Sequence, residues 1–162
     1  MNEFLRELTN GLPDATELAR ATVRLLMATL LGAVVGYERE RAGKAAGLRT
    51  HMLVALGAAL LMLAGTESGM TTSDLSRVVQ GVITGIGFLG AGSILKSEEE
   101  REIRGLTTAA GIWLTAGVGI AAGLGRWGTA TVAVVGSWII LGVLTRMERR
   151  LDVNDPVKQT KA

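Results

Sequence analysis

The chain has 162 residues, of which 48% are apolar, and its 17 basic and 15 acidic side chains leave a net charge of +2. This near balance gives no reason to expect a nucleic acid as partner, and the absence of cysteine excludes disulfide frameworks, thiolate metal sites and cysteine nucleophiles. Long uncharged runs separated by short charged joints point to a membrane, because a helix needs ~20 apolar residues to cross a bilayer.

The first 18 residues lack the basic start, apolar centre and cleavage site of a signal peptide. The apolar residues in this segment are spaced roughly as on one face of a helix. The segment is therefore expected to form either a short interfacial helix or a disordered tail. Residues 19–146 contain five apolar stretches, and residues 147–162 form a polar tail, which we expect in the cytoplasm. The sequence therefore predicts an all-α polytopic bundle of five transmembrane spans, at residues 19–37, 48–65, 78–95, 106–124 and 128–145.

Glycines are concentrated in the spans. Because small residues let helix backbones approach closely, we interpret them as helix-packing positions. Span three is the richest, and we expect it to contact neighbours on several sides at the centre of the bundle. Three of its glycines spell G-x-G-x-x-G, but no strand precedes them, so a dinucleotide site is disfavoured. The packing positions are Gly32, Gly36, Gly81, Gly85, Gly87, Gly90 and Gly92, with a further pair at Gly119 and Gly123.

The cations predict the orientation, because cytoplasmic loops carry an excess of Lys and Arg. Five spans place the loops after spans one and three on the same side as the C-terminal tail. That side holds twelve cations and the other side five, which favours an outside N-terminus and a cytoplasmic C-terminus. The five are Arg6, Arg20, Arg24, Arg77 and Arg126, and Arg20 and Arg24 are expected to extend to the interface.

Polar residues gather at the ends of the spans. Those on the predicted cytoplasmic side are hypothesised to converge into one paired network, the alternative being separate interfacial anchors and helix caps. They are Glu38, Arg39, Arg49, Thr50, His51, Arg104, Thr107 and Thr108. Three more lie at the start of span three or just before it, and the first of them is expected to cap its helix: Asp74, Arg77 and Gln80.

The sequence gives little support for a metal site or a catalytic site. Magnesium prefers oxygen ligands and retained waters, and Glu38 and Asp74 are weak candidates because each has an arginine within three residues. His51, the one histidine, is expected at the membrane interface rather than as a metal ligand. The chain has no G-x-S-x-G, H-E-x-x-H or G-x-x-x-x-G-K-[ST] pattern, so we expect no enzymatic activity and no cofactor, with Mg²⁺ left open as ligand or substrate.

Three segments carry a family resemblance: GYERERAGKAAGLRTHMLVALGAAL, GVITGIGFLGAGSIL and RGLTTAAGIW. In order and spacing they resemble the membrane domain of the MgtC/SapB family over about residues 32–125. The resemblance implies a bacterial inner-membrane protein linked to magnesium limitation, acid stress and survival inside host cells. Some members carry a soluble C-terminal domain, and this chain is expected to be a short member without it.

The resemblance leaves the molecular activity open between two hypotheses. The protein either modulates a membrane partner, such as the ATP synthase or an ion transporter, or carries a cation such as Mg²⁺ itself. Besides the lipid bilayer, the expected partners are a second copy or another membrane protein. Members of the virulence branch tend to have Asn in the G-L-x-T-A-A motif where this chain has Thr107, so a role of that amide is not carried over.

Overall fold

The computed structural model describes residues 14–96 and 103–144, which form a bundle of five helices. They are α1 (Ala15–Arg41), α2 (Leu48–Glu67), α3 (Thr72–Gly92), α4 (Leu106–Gly123) and α5 (Trp127–Trp138), which continues as a π-helix over Ile139–Leu144. Two short antiparallel strands, β1 (Leu95–Lys96) and β2 (Ile103–Arg104), join α3 to α4. The predicted helical bundle is confirmed. Predictions for residues 1–13, for most of the charged joint and for the tail 147–162 lie outside the described residues.

The helices have the dimensions and the surface of a membrane protein. In the described chain, α1 to α4 are each long and apolar enough to cross a bilayer, and α5 with its π-helical extension is a shorter apolar helix. Large apolar side chains cover the outside: Phe88 is 81% exposed, Val132 73% and Leu53 68%. Because such a surface is costly in water, these side chains mark the part of the protein that faces lipid.

Two helices begin earlier than the sequence predicted because a capping box fixes each start. At α1, the Glu17 amide donates to Asp14 Oδ1 at 2.7 Å, and the Asp14 amide donates to Glu17 Oε2 at 3.3 Å. At α3, Thr71 is the capping residue, and Asp74 accepts hydrogen bonds from the Thr71 amide at 3.1 Å and hydroxyl at 2.6 Å. Asp74 therefore supports the cap from inside the first turn of α3 and is not the N-cap itself.

Glycines bring the backbones of α1 and α2 together. A methyl group added at Gly32 would lie 2.7 Å from the His51 carbonyl oxygen, and one added at Gly36 would lie 2.8 Å from Leu48 Cα. Neither position has room for a side chain. The close approach that the G-x-x-x-G spacing predicted for this pair is therefore present in the structure.

The same kind of contact joins α4 to α2. A methyl group at Gly119 would overlap the Ala55 carbonyl group, and one at Gly123 would lie 2.6 Å from the Ala59 carbonyl oxygen. Ala55 and Ala59 are themselves fully buried. Small residues thus pack α2 against both α1 and α4, and these three helices form the centre of the bundle.

The prediction that α3 lies at the centre is wrong. Only 6% of its apolar stretch is buried, against 50% for α4. Its buried positions, Ile86 and Gly90, face α4, where a methyl group at Gly90 would lie 3.6 Å from the Ala109 Cβ atom. Among the described residues, no atom lies within 4 Å of a methyl group added at its remaining glycines, which are Gly81, Gly85, Gly87 and Gly92. Glycines on one face of a helix therefore indicate a surface suited to close packing, but they do not identify the element that packs there.

Candidate functional site

A buried polar cluster lies where α1 ends and α2 begins. The His51 side chain, in the first turn of α2, is 0% exposed, and Arg39, in the last turn of α1, is 2% exposed. The expectation of an interfacial His51 is wrong, because α1 continues to Arg41 and covers the start of α2. The histidine is therefore part of the protein interior.

The imidazole of His51 joins α2 to α4 through Thr115. His51 Nδ1 lies 2.7 Å from Thr115 Oγ1, and the Thr115 hydroxyl donates to the Gly111 carbonyl oxygen at 2.8 Å. Because a hydroxyl has one proton to donate, the ring proton belongs on Nδ1. His51 Nε2 is buried and has no hydrogen-bond partner in the part of the chain that the structure describes. Gly111 lies beside the ring, and a methyl group there would make an ordinary contact of 3.5 Å with His51 Cε1.

An ion pair lies on the α1 side of the same cluster. Arg39 Nε donates to Glu38 Oε2 at 2.6 Å, with the arginine side chain buried and the glutamate partly exposed. A guanidinium taken out of water costs several kcal/mol unless it is paired, so Glu38 is what makes the buried Arg39 tolerable. The last turns of α1 also cover His51, since a methyl group at Gly36 would lie 3.0 Å from His51 Cβ. The carboxylate, the guanidinium and the imidazole therefore form one unit, which we call the His51 cluster.

A second carboxylate of α1 holds the connection to α2 in place. Glu40 Oε2 accepts a hydrogen bond of 2.7 Å from the Leu48 amide, one of the free donors at the start of α2. A negative charge there also interacts favourably with the helix dipole. Glu40 thereby fixes the short loop beside the His51 cluster.

The structure assembles only part of the predicted network. Glu38 is paired with Arg39, and among the described residues no ion pair joins it to Arg49 at the start of α2. Thr108 is buried on α4 and Thr50 is partly buried, but the other candidates on this side point outward. These exposed residues are Arg49, Arg104 and Thr107.

The remaining candidates lie on α3, away from the His51 cluster. Asp74, Arg77 and Gln80 are all exposed, and Asp74 lies at the opposite end of the bundle from Glu38. Since α2, with 20 residues, extends ~30 Å between those ends, Glu38 and Asp74 do not ligate one ion. Within residues 14–96 and 103–144, no group of three or more His, Cys, Asp or Glu side chains is placed to hold a metal.

The sequence analysis did not recognise two polar contacts, which are made by Thr115 and by Arg24. Thr115 is seven residues after Thr108, so both lie on one face of α4, a spacing that could have marked the buried polar side of that helix. Arg24, which was expected to extend to the interface, donates from Nη1 to the Gly123 carbonyl oxygen at 3.0 Å, at the end of α4. It thus caps the C-terminal end of α4, where backbone carbonyls lack partners.

Together these features define a polytopic helical membrane protein with a histidine-centred polar cluster at one end of its three-helix core. The MgtC family profile matches residues 25–150, a range that includes the whole cluster. Because the match covers most of the chain, the protein belongs to the MgtC family, as the motifs indicated.

Curated relatives extend the comparison. SrpB of Synechococcus elongatus is 42% identical over 137 residues, which are 78% of this chain and 75% of SrpB. MgtC of Salmonella typhimurium is 47% identical over 115 residues, 70% of this chain and 47% of that protein. YhiD of Escherichia coli K12, named as a proposed magnesium transporter, is 37% identical over 140 residues, 82% of this chain and 64% of YhiD. The chain thus spans about half the length of Salmonella MgtC. No solved structure matches it.

Proposed function

We propose that this protein serves magnesium or other ion homeostasis in the bacterial inner membrane by modulating a membrane partner rather than by carrying the ion. Membership of the MgtC family and the name of YhiD support the link to magnesium. The observation that carries the mechanism is the packing of the three-helix core around His51.

That packing favours a solid core over a route for ions. A path for Mg²⁺ needs oxygen ligands and room for the waters that the ion retains. At Gly36 and Gly119 the core helices touch backbone to backbone. Arg39 is paired with Glu38, and His51 is hydrogen-bonded to Thr115. A groove of about 520 Å³ instead lies between α2 and α3, is lined by apolar side chains and glycines, and is open to the outside. Action through the lipid-facing surface therefore fits the described helices better than transport through them.

A cation transporter is the second candidate, and the His51 cluster is the observation that favours it. Ionisable residues within membrane helices are rare and commonly mark ion or proton pathways. Arg39 and His51 are both buried at a helix end, and Glu38 offers a carboxylate. In a transporter of this kind, the cation would have to compete with Arg39 for Glu38.

Magnesium flux separates the two candidates. Purified protein in liposomes that contain a Mg²⁺-sensitive dye is expected to give the same influx as protein-free liposomes. A strain without the gene is expected to grow more slowly at limiting magnesium and to recover with the wild-type gene, and a membrane protein is expected to copurify in fixed ratio. Protein-dependent Mg²⁺ influx that Glu38→Gln abolishes would establish the transporter instead.

The proposed orientation has its own test. Reporter fusions at Lys44, in the α1–α2 loop, are expected to give a cytoplasmic signal, and fusions at Gly69, in the α2–α3 loop, an external one. Both positions are exposed, and the twelve-to-five distribution of cations is the physical reason. A cytoplasmic signal at Gly69 would contradict the orientation.

A further inference from the structure

The lipid-facing side of α1 changes character as the helix approaches its C-terminal end. Leu30, Val34, Tyr37 and Arg41 are four, three and four residues apart, so they lie along one face of the helix. Leu30 is 59% exposed, Val34 46% and Tyr37 54%. The face therefore passes from aliphatic side chains to an aromatic ring and then to a cation. This is the order in which such side chains occur from the bilayer core to the headgroups.

A cation–π contact fixes the position of the Arg41 guanidinium. Arg41 Cζ lies 5.8 Å from the centroid of the Tyr37 ring. The ring attracts the cation through its face, and the N–H donors at the edge of the guanidinium remain available to an anion. Because helical side chains point back toward the N-terminus, Arg41 extends from the end of α1 toward the apolar part of the same face. The contact thus places a positive charge beside an interfacial aromatic ring.

The corner between α1 and α2 has more positive than negative charge. Residues 37–49 contain four cations and two carboxylates, which leaves a net charge of +2. Both carboxylates are bonded within the corner, since Glu38 pairs with the buried Arg39 and Glu40 accepts a hydrogen bond from the Leu48 amide. The three remaining cations are exposed and form no ion pair with any described residue: Arg41, Lys44 and Arg49.

We propose that an anionic phospholipid binds along this face of α1, with an acyl chain on Leu30 and Val34 and its phosphate at Arg41, beside Lys44 and Arg49. A basic residue near an anionic membrane surface contributes ~1 kcal/mol to the attraction, and a zwitterionic lipid has no net charge to supply it. An acidic protein segment would match the three cations but not the aliphatic part of the face. A phospholipid matches both, at the depths where they occur.

The dissociation constant for the first bound lipid, measured by native mass spectrometry of the full chain in detergent, tests this site. The wild-type protein is expected to bind phosphatidylglycerol at least about fivefold more tightly than phosphatidylcholine, the factor that corresponds to one basic residue. The triple variant Arg41→Gln, Lys44→Gln and Arg49→Gln is expected to lose this preference. Soluble glycerol phosphate is expected to compete poorly, because it has no acyl chain to place on α1.

A second triple variant is the matched control. Arg20→Gln, Arg77→Gln and Arg126→Gln remove the same charge from exposed positions at the other end of the bundle, and the preference is expected to persist. Equal losses in the two triple variants, or no preference in the wild-type protein, would overturn the proposal. So would an unchanged preference in the first triple variant, or competition by glycerol phosphate as strong as by the lipid.

Substitutions at Tyr37 test the contact between the ring and the cation. Tyr37→Leu keeps an apolar side chain but removes the ring, and it is expected to raise the dissociation constant for phosphatidylglycerol about two- to fivefold, as loss of an exposed cation–π contact does. Tyr37→Phe keeps the ring and is expected to bind as the wild-type protein does. Equal constants for the two variants would contradict the placement of the phosphate at Arg41. These measurements report lipid binding alone, so their failure is distinct from failure of the proposed role in ion homeostasis.

Discussion

Replacing Gly119 by alanine is expected to lower the free energy of unfolding by at least ~1–3 kcal/mol, the usual cost of overpacking. The added methyl group would overlap the Ala55 carbonyl group and lie 2.9 Å from both Ala55 Cα and Ala58 Cβ. These atoms belong to the backbone or to its first side-chain carbon, so no flexible side chain can move aside. Helix α4 would have to shift away from α2, and contacts between these two helices would be lost along their length. Reversible unfolding in mixed detergent micelles measures the change.

Gly117→Ala is the matched control on the same helix. No atom of the described chain lies within 4 Å of a methyl group added there. Alanine has the higher helix propensity, so this variant is expected to be neutral or more stable by up to about 1 kcal/mol. If both variants lost the same stability, the loss would not come from the close α2–α4 contact, because only Gly119 lies in it.

The glycine patterns show how much of the fold the sequence contains. The pairs Gly32–Gly36 and Gly119–Gly123 correctly marked helix faces where another backbone approaches. The same spacing at Gly81 and Gly85 led to a wrong position for α3, because these glycines have no neighbour in the described chain. Spacing along one helix specifies the shape of its face, whereas the choice of neighbour depends on the summed packing of all the helices.

The site was predictable to a similar extent. Composition and position identified Glu38, Arg39 and His51 as polar residues near the same membrane boundary. Burial could not be read from the sequence, because it depends on how far α1 extends past the start of α2. The partner of His51, Thr115, lies 64 residues further along the chain, and only the packing of α2 against α4 brings the two side chains together.

Thr115→Val is expected to destabilise the protein by ~1–3 kcal/mol, because it leaves the buried Nδ1–H of His51 without an acceptor. Valine has nearly the shape of threonine, so packing changes little and the loss reports the hydrogen bonds. The lost hydroxyl also releases the Gly111 carbonyl oxygen. Thr107→Val makes the same chemical change on the exposed side of α4 and is expected to alter stability by less than about 0.5 kcal/mol.

A double-mutant cycle with His51→Leu then shows whether the two side chains act together. His51→Leu removes the donor together with the unpartnered Nε2. Replacing both members of a buried hydrogen-bonded pair by apolar groups of similar shape costs much less than leaving one member unsatisfied. The double variant is therefore expected to be more stable than the sum of the single changes predicts, with a coupling of ~0.5–3 kcal/mol. Strictly additive losses would mean that the 2.7 Å contact between His51 and Thr115 contributes nothing to folding, and that His51 is held in the core by packing alone.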